Sequence, residues 1–394
     1  MSGRKPKKLL LVTRDVDGGI GRHFVDLAEG MVARGWEVHC VRAERVTGHV
    51  TEHSARLDNL AGVAVHTISL ARSIGPGDLA SYFAFRKIVW KHGPFDIAHG
   101  HGAKGGVFVR LPFRQVGKRC YSPHAFITLD RRAGAPIKLI YGLIERFFGR
   151  LLTDALIAVS TEERREALRL GVAEKRCHLV PNGISSPPFL SRQAARVELG
   201  LEPSDEVALF VGRFCHQKAP ERFVELIARL AQTRPCIRGV LIGSGEQGQS
   251  LLAQARTLGI GHRLVFFQSS RAANYMRAAD ALLVPSRYEG FAYTMIEALA
   301  AGLPIVTYDV GGAADMIADE VNGYIVPQGD LPAMVKLTAR LLENPDVRTT
   351  MAKAAEARFC LFRQDEMLRR LADLYEDLLV GESRPRLGLA AKAY

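Results

Sequence analysis

Two cations follow a predicted strand in the second half of the chain. Arg213 and Lys218 flank a loop that begins at Gly212, directly after an apolar run, and a helical pattern comes next. This spacing suits a diphosphate, because Arg binds phosphate through a planar fork and Lys acts as a point charge. Two solvated cations would give the same pattern, so these residues alone leave both interpretations open.

Two carboxylates follow the predicted strand Ala281–Val284. Glu289 lies in the loop, and Glu297 lies in an apolar helical stretch beside Ile296 and Ala298. A carboxylate in such a stretch is costly without a partner, which could be a ribose diol or a cation in a plain ion pair. A helix N-terminus suited to sugar hydroxyls or phosphate is predicted at the backbone amides of Gly290, Phe291, Ala292 and Tyr293.

A glycine-rich turn, Asp17–Gly21, follows the first predicted strand and opens a helix. Amides at Gly18 and Gly19 could approach phosphate or sugar oxygens, although a tight strand-to-helix turn needs the same residues. The spacing differs from the dinucleotide fingerprint, and no acidic ribose partner follows the second strand. This disfavours a nicotinamide-dependent oxidoreductase.

Three histidines lie just after predicted strands in the first half: His99, His101 and His124. The His-x-His pair could bind a metal, but no carboxylate or cysteine nearby completes a ligand set. We therefore predict no metal site. A packed, hydrogen-bonded histidine is the alternative at each position. His124 is the better site candidate, because Pro123 and the strand end would fix it facing a cleft.

Apolar runs alternate with amphipathic helical stretches in both halves of the chain. The predicted strands are Lys8–Thr13, Trp36–Arg42, Val63–Ile68, Phe95–His99, Arg119–Ser122, Asp154–Val159, His178–Val180, Val207–Val211, Gly239–Ile242, Leu264–Phe267, Ala281–Val284 and Ile305–Tyr308. Such alternation is typical of parallel sheets covered on both faces. We predict an α/β fold of two doubly wound, Rossmann-like domains facing across a cleft, with ligands at the carboxyl ends of the strands.

The stretch Asn182–Leu190, rich in Pro, Ser and Gly, separates the two halves. The predicted domains are residues 1–185 and 186–362. A helix over residues 363–380 is expected to cross back to the first domain. Residues 381–394 have little to bury and are expected to be a mobile tail.

Composition points to a cytoplasmic chain. At 394 residues with 47% apolar content, it can bury two cores. No apolar run reaches the about 18 residues of a membrane span, and Leu9–Val12 is too short for a signal peptide. The six cysteines are far apart and are expected to be reduced thiols.

The net charge of +12 lies entirely in the first half. Residues 1–185 hold 29 Lys and Arg against 17 Asp and Glu, whereas residues 186–394 hold 24 of each. A one-sided basic field predicts a polyanionic partner, such as an anionic membrane, a phosphate-bearing acceptor or a nucleic acid. The basic residues lack interleaved aromatics or a recognition motif, which disfavours nucleic acid.

The motifs together resemble the retaining glycosyltransferases of the GT-B fold, family four ("group 1"). The resemblance runs from about Lys8 to about Leu379 and is strongest over Ala279–Asp315, which looks like the family's donor-site signature. Val180–Ile184 looks like its interdomain linker. Residues 101–106 and 122–126 are most similar to branches that extend cell-surface polysaccharides on lipid carriers.

The resemblance implies transfer of a sugar, with retention, from a nucleoside diphosphate sugar to an acceptor hydroxyl. It implies that Arg213 and Lys218 clamp the diphosphate, that Glu297 holds the ribose, and that Glu289 holds the sugar near its reacting carbon. The groups implied in catalysis are His124, Glu289, Arg213 and Lys218. The implied donor contacts also include Gly18, Gly19, Gly290, Phe291, Ala292 and Tyr293.

The resemblance also implies that His99 and His124 lie on the acceptor side. It implies no metal and no cofactor beyond the donor. Asp15 and Asp17 form an acid-x-acid triplet of the kind that metal-dependent glycosyltransferases use, but on the wrong loop for this architecture. Gln268 and Ala292 stand where the family often has glycine, so the donor's base and sugar stay open.

The first-half charge predicts docking on an anionic membrane, where a lipid-linked acceptor would be found, so we expect a cytoplasmic, peripheral protein. The stretch 110–150 carries nine cations against two acids, together with an unusually apolar helix. The nearest alternative is a sugar-nucleotide epimerase or a phosphorylase on the same architecture. Nucleotide sugar alone would distinguish an epimerase, which changes the sugar without an acceptor.

Overall fold

The computed structural model describes residues 5–44, 51–71, 75, 77–130 and 133–381. The chain divides into two compact units: unit 1 is Met1–Asn182 with Gln364–Tyr394, and unit 2 is Gly183–Arg363. Two cations of the basic stretch, Arg131 and Arg132, lie outside the described residues, as does the predicted mobile tail from residue 382 onward.

Unit 1 is built on a seven-stranded parallel sheet in the order β3-β2-β1-β4-β5-β6-β7. Its strands are β1 (Lys8–Thr13), β2 (Glu37–Ala43), β3 (Val63–Ile68), β4 (Phe95–His101), β5 (Val116–Ser122), β6 (Ala155–Ala158) and β7 (Cys177–Leu179). Its helices are α1 (Gly18–Val32), α2 (Glu52–Asp58), α3 (Gly77–His92), α4 (Gly102–Arg110), α5 (Ala135–Leu151), α6 (Thr161–Arg169) and, at the end of the chain, α14 (Gln364–Val380).

Both faces of this sheet are covered, as the apolar strands predict. Leu9 and Leu11 of β1 pack in one cluster with Phe24 of α1 and Leu371 of α14. The alternate residues, Leu10 and Val12, pack in a second cluster with α3. Because side chains alternate along a strand, a strand buried on both faces reads as a continuous apolar run.

Unit 2 contains a six-stranded parallel sheet in the order β10-β9-β8-β11-β12-β13. Its strands are β8 (Glu206–Val211), β9 (Ile237–Ile242), β10 (Leu264–Phe267), β11 (Ala281–Val284), β12 (Ile305–Tyr308) and β13 (Gly323–Val326). Its helices are α7 (Arg192–Glu198), α8 (Pro220–Leu230), α9 (Gly248–Thr257), α10 (Tyr293–Ala301), α11 (Ala313–Met316), α12 (Leu331–Glu343) and α13 (Pro345–Phe359). The predicted pair of doubly wound parallel folds is confirmed, and only the edge strand β13 went unpredicted.

The unit boundary falls after Asn182, the first residue of the predicted linker Asn182–Leu190. The Ile184 amide donates to the carbonyl of Phe362 at 2.9 Å, and Ile184 also forms a parallel bridge with Arg363. These bonds tie the beginning of the linker to the rest of unit 2. None of the helices among the described residues is long and apolar enough to span a bilayer.

Candidate functional site

A close ion pair joins two of the predicted site residues of unit 2. Lys218 Nζ lies 2.7 Å from Glu289 Oε1, and the Glu289 side chain is only 5% exposed. Lys218 follows β8 and Glu289 follows β11, and these strands are neighbours in the sheet. Because parallel strands end at one edge, the topology brings together two charges that lie 71 residues apart in sequence.

The loops that carry this pair are bonded to one another. The Arg287 amide donates to the Gln217 carbonyl at 2.9 Å, and Arg287 Nη1 donates to the His216 carbonyl at 2.6 Å. The Gln217 side chain donates in turn to the Tyr288 carbonyl at 3.3 Å. The loop after β8 therefore fixes the loop after β11, and Lys218 is held beside Glu289.

A glycine that our sequence analysis did not single out packs against the cation loop. A Cβ on Gly243, which follows β9 with φ of 151°, would lie 2.0 Å from the Gly212 carbonyl oxygen. Only glycine allows this approach. The Phe214 amide, in the same loop as Arg213, donates to the Ser244 carbonyl at 2.8 Å. The Gly-Ser-Gly sequence directly after an apolar strand was the signal for this contact.

The N-terminus of α10 lies in the loop region that carries Glu289. Ala292 is the N-cap and provides no side-chain cap, so the amides of the first turn depend on other partners. Phe291 and Ala292 are buried, whereas Gly290 and Tyr293 are partly exposed. Glu297 lies one turn after Tyr293, which places both on one side of α10, and it is partly exposed between buried neighbours.

Arg213 differs from the other charged residues of this edge. Its side chain is exposed, and it forms no ion pair with any residue that the structure describes. The structure therefore brings Lys218 and Glu289 together and leaves the Arg213 guanidinium in solvent.

Four histidines of unit 1 cluster around the carboxyl end of β4. His99 and His101 end that strand, His124 follows β5, and His23 projects from α1. His101 Nδ1 lies 3.0 Å from His124 Nε2, and the His23 and His124 rings are 4.8 Å apart. Nothing in our sequence analysis marked His23, because it reads as one more residue of the amphipathic α1.

The histidine cluster is held in the neutral form. Burial lowers the pKa of His124 well below its ordinary value, and the neighbouring His23 and His99 lower it further. Burial also lowers the pKa of His23 to about 4, against an opposing hydrogen bond with Asn182. At neutral pH these rings can donate or accept hydrogen bonds but carry no charge.

His99 has hydrogen-bond partners at both ring nitrogens. It is fully buried; Nδ1 lies 2.6 Å from the Tyr375 hydroxyl and Nε2 lies 2.9 Å from Ser122 Oγ. Both ring nitrogens are therefore engaged, and Tyr375 comes from α14, 276 residues further along the chain.

The backbone around His124 is strained. His124 has φ of 52° and Ala125 has φ of 100°, both in the left-handed region that residues with a side chain rarely adopt. The Glu163 carboxylate accepts hydrogen bonds from the Ala125 amide and, at 3.0 Å, from the Val159 amide. Ser160 caps α6 by accepting from the Glu163 amide at 3.1 Å. This network holds the loop in a conformation that aims His124 at its neighbours.

The glycine turn at the start of α1 is open. Gly18 has φ of 59°, and a Cβ there would meet no atom within 4 Å. Gly18 and Gly19 are exposed, as is Asp17, the residue before the helix. A φ in this range favours glycine, however much space surrounds the residue.

The chain matches two protein families, one in each half. Residues 18–183 match the family described as "Glycosyl transferase 4-like domain", and residues 191–358 match "Glycosyl transferases group 1". A D-inositol 3-phosphate glycosyltransferase of Xylanimonas cellulosilytica is 33% identical over 389 residues, which is 91% of each chain. A galactosyltransferase of Escherichia coli that acts on α-D-GlcNAc-diphosphoundecaprenol is 25% identical and covers 77% of this chain and 81% of that protein.

Solved structures show the same fold. Sucrose-phosphate synthase of Thermosynechococcus elongatus superposes with a TM-score of 0.76 at 23% identity, covering 95% of this chain and all of that one. HepE of Anabaena, solved with UDP-glucose, gives a TM-score of 0.77 at 19% identity and covers 94% of this chain and 99% of that one. With both halves matched and a relative 33% identical along nearly its whole length, this chain belongs to the group 1 glycosyltransferases and has their GT-B fold.

Proposed function

We propose that the protein transfers a sugar, with retention of configuration and without an obligatory metal, from a nucleoside diphosphate sugar to a hydroxyl of a phosphate-bearing, lipid-linked acceptor. The observation that carries the donor half of this proposal is the Lys218–Glu289 pair at 2.7 Å, at the carboxyl ends of adjacent strands. Lys218 would neutralise the leaving diphosphate, and Glu289 would accept from hydroxyls of the sugar.

The charge that develops on the leaving group needs donors that are already in place. Lys218 is held by its bond to Glu289, and the exposed Arg213 guanidinium is available to fold onto the second phosphate. The uncapped first turn of α10, at Gly290 to Tyr293, adds backbone amides and the positive end of a helix dipole. These groups perform the task for which other transferases use a divalent cation.

Glu297 is proposed to hold the ribose. It lies on α10 one turn beyond the amides that would hold the phosphates, and it is partly exposed. A carboxylate can accept from both hydroxyls of a ribose diol. Gly18 and Gly19 remain predicted donor contacts.

His124 is proposed to contact the reacting sugar or the acceptor as a neutral hydrogen-bonding group, because burial and the other histidines keep its pKa low. Both nitrogens of His99 are engaged by Tyr375 and Ser122. We therefore assign His99 a positioning role in place of direct contact with the acceptor. Retention would follow from attack on the face from which the diphosphate leaves, with a phosphate oxygen taking the acceptor proton.

The acceptor half of the proposal rests on α5. This helix buries Glu145 and Gly149, and its large apolar side chains face outward. Ile137, Leu139, Ile140, Leu143, Phe147 and Leu151 are each between 49% and 65% exposed. An exposed apolar surface of this extent is typical of a binding face, and next to basic residues it suits the interface of an anionic membrane.

The inner side of α5 explains this arrangement. Glu145 accepts from Arg110 Nη1 at 2.7 Å and from the Tyr121 hydroxyl at 3.0 Å. Arg110 is fully buried, so this one of the nine cations counted in residues 110–150 cannot meet a membrane surface. The helix is thus attached through a buried ion pair, and its apolar side is left for another partner.

Cations flank the apolar side of α5. Arg146 and Arg150 are exposed, and they stand three and seven residues beyond Leu143 on the same side of the helix. Each cation near an anionic surface contributes about 1 kcal/mol. A soluble phosphate acceptor is the second candidate, because the inositol 3-phosphate relative carries that substrate in its name.

The test uses two acceptors and a panel of donors. UDP-, GDP-, ADP- and dTDP-sugars are screened by thermal shift, in which a ligand at about 100 times its Kd stabilises by about 2.7 kcal/mol. The donor that binds is then offered D-inositol 3-phosphate or a sugar linked to diphosphoundecaprenol. The anomeric proton of the product is compared with that of the donor by NMR. Inverted configuration, or conversion of the donor without acceptor, would overturn the proposed reaction.

A further inference from the structure

A second group of histidines lies in unit 1, away from the proposed reaction site. His39 belongs to β2, His66 to β3, and His92 is the last residue of α3. One ring nitrogen from each lies within 4.8 Å of those of the other two. No acceptor or donor residue proposed above belongs to this group, which we call the His39 cluster.

The fold brings these side chains together for a simple reason. His39 pairs with Ala64 in the parallel ladder, and His66 is two residues further along β3, so both point to the same face. That face is covered by α3, whose apolar residues Phe85 and Val89 join the core there. Since α3 runs back towards the amino ends of the strands, its last residue meets the two histidines.

The spacing is close to that of metal ligands. His39 Nδ1 lies 3.0 Å from His66 Nε2. Two imidazole nitrogens bound to zinc at about 2.0–2.1 Å in a tetrahedron stand about 3.3 Å apart. The centroids of the His66 and His92 rings are 4.7 Å apart, and both rings are half-buried. A small rotation of either ring can therefore bring its ligand nitrogen closer to the other two, which all lie within 4.8 Å.

A carboxylate supports the most buried of the three ligands. His39 offers Nδ1 to the cluster, and its Nε2 lies 3.1 Å from Glu37 Oε1. Metal-bound histidines usually donate their other ring nitrogen to a carboxylate, which fixes the tautomer and raises ligand basicity. Glu37 is itself held by Lys8 Nζ at 2.8 Å. Glu37 therefore supports His39, and His39, His66 and His92 together offer three ring nitrogens to one ion.

From this geometry we propose that His39, His66 and His92 bind a divalent transition-metal ion, with zinc as the best match to three imidazole ligands, and that Glu37 orients His39. Three histidines leave a fourth position for water. The ion links β2, β3 and the end of α3, near the amino ends of the strands. The ion would stabilise this end of unit 1 and take no part in transfer, and the cations Lys8 and Lys91 beside it limit its affinity.

The surroundings of the three rings agree with such a site, because His39 is buried and His66 and His92 are half-buried. Imidazole nitrogens favour zinc, copper and nickel, whereas magnesium and calcium prefer oxygen ligands.

The test measures metal binding on the full chain after treatment with EDTA and removal of the chelator. Zn²⁺ is expected to raise the Tm of the wild-type chain, and Mg²⁺ is not. Co²⁺ is expected to give the visible absorption of a tetrahedral site. The half-buried ligands are removed by His66→Asn and His92→Gln, and the exposed His262→Gln serves as the matched control.

The proposal expects both ligand variants to lose the Zn²⁺ shift and the control to keep it. Glu37→Gln is expected to weaken Zn²⁺ binding by about 10- to 100-fold, the usual effect of losing a carboxylate that hydrogen-bonds a metal-bound histidine. No Zn²⁺ shift in the wild type, an equal shift with Mg²⁺, or an unchanged shift in His92→Gln would each overturn it. Far-UV circular dichroism without metal shows whether each variant is folded, and any variant that is not is replaced by H66Q or H92N.

Discussion

The two units use different physical means at the same edge of similar sheets. In unit 2 the carboxyl ends of the strands carry charge, namely the Lys218–Glu289 pair. In unit 1 the corresponding edge carries neutral histidines, of which His101 is buried and His124 is half-buried. Conversely, the net charge of the chain lies in residues 1–185, nearly all of which belong to unit 1, and it includes the cations of α5.

This difference shows that the region with the excess of cations need not be the region whose charged side chains are proposed to act in catalysis. Unit 2 has a balanced composition and yet places a cation where a diphosphate would be bound. Unit 1 has the excess of cations, but the strand ends that carry His101 and His124 are uncharged, and two of its basic residues, Arg146 and Arg150, flank the exposed apolar side of α5. We propose that unit 2 handles the anionic leaving group and that unit 1 recruits the acceptor.

The largest expected effect tests unit 2. Lys218→Ala and Glu297→Ala should each reduce transfer by at least 10- to 100-fold, because each removes a charged hydrogen bond of about 1.5–3 kcal/mol. Lys218→Ala also leaves the Glu289 carboxylate, 5% exposed, without its cation, so a lower Tm should accompany the loss.

Steady-state rates and donor thermal shifts measure this prediction, and the exposed Lys336→Ala serves as the control. Near-normal turnover in either Lys218→Ala or Glu297→Ala would refute the donor-site assignment.

The next effect tests the neutral histidines of unit 1. The folded pKa of His23 is about 4, below the value of about 6.5 in an unfolded chain. The unfolded chain therefore binds more protons below pH 6.5, and stability is complete above that pH and is lost as the pH falls towards 4. Each such histidine removes about 1.4 kcal/mol per pH unit in that window.

Tryptophan fluorescence can follow this unfolding in unit 1 alone. Both tryptophans of the chain, Trp36 and Trp90, belong to unit 1, and Trp36 is buried against Tyr375. Urea midpoints are compared from pH 7.5 to pH 4.5, with His23→Leu expected to flatten the curve. A midpoint that stays constant over this range would contradict the neutral, buried cluster.

A smaller effect tests α5. Replacing Ile140 and Leu143 with Glu should abolish co-sedimentation with anionic liposomes at low salt, since it removes apolar contact and adds repulsion. The matched control replaces two exposed apolar residues of unit 2, Val197 and Leu258, with Glu. Binding of the wild type should weaken at high salt because the attraction is screened.

The variant with Ile140 and Leu143 replaced by Glu should leave the thermal shift produced by the donor unchanged. Equal binding of the wild type to neutral and anionic vesicles, or the same loss in the unit 2 control, would remove the case for unit 1 as the docking unit.

The smallest expected effect is that of chelation on activity. Transfer should continue at the same rate in EDTA, because Arg213, Lys218 and the first turn of α10 are proposed to meet the charge of the diphosphate. The same EDTA-treated samples can be used for the Tm assay of the His39 cluster. Loss of an ion from that cluster should lower Tm without stopping transfer. Activity that stops with EDTA and returns with Mg²⁺ would return Asp15 and Asp17 to consideration.

Much of the fold was predictable from local pattern. The bounds of β1, β3, β10, β11 and β12 agree with the sequence-based ones, because each is a short apolar run ended by turn residues. The edge strand β13, Gly323–Val326, was missed although β10, β11 and β12 are equally short. The loops that carry Lys218 and Glu289 were found because each follows a buried apolar strand and contains charged residues.

The sequence by itself determined which loops could carry chemistry, that the charge is one-sided, and that two parallel sheets would form. Only the tertiary structure decided which side chains meet. It placed Tyr375 on His99, buried Arg110 against Glu145, and joined His39 to His66 and His92 where our sequence analysis predicted no metal site. The reason is that periodicity records burial along one element, whereas partners that lie 27 to 276 residues apart are chosen by strand order and by the helix that covers each face.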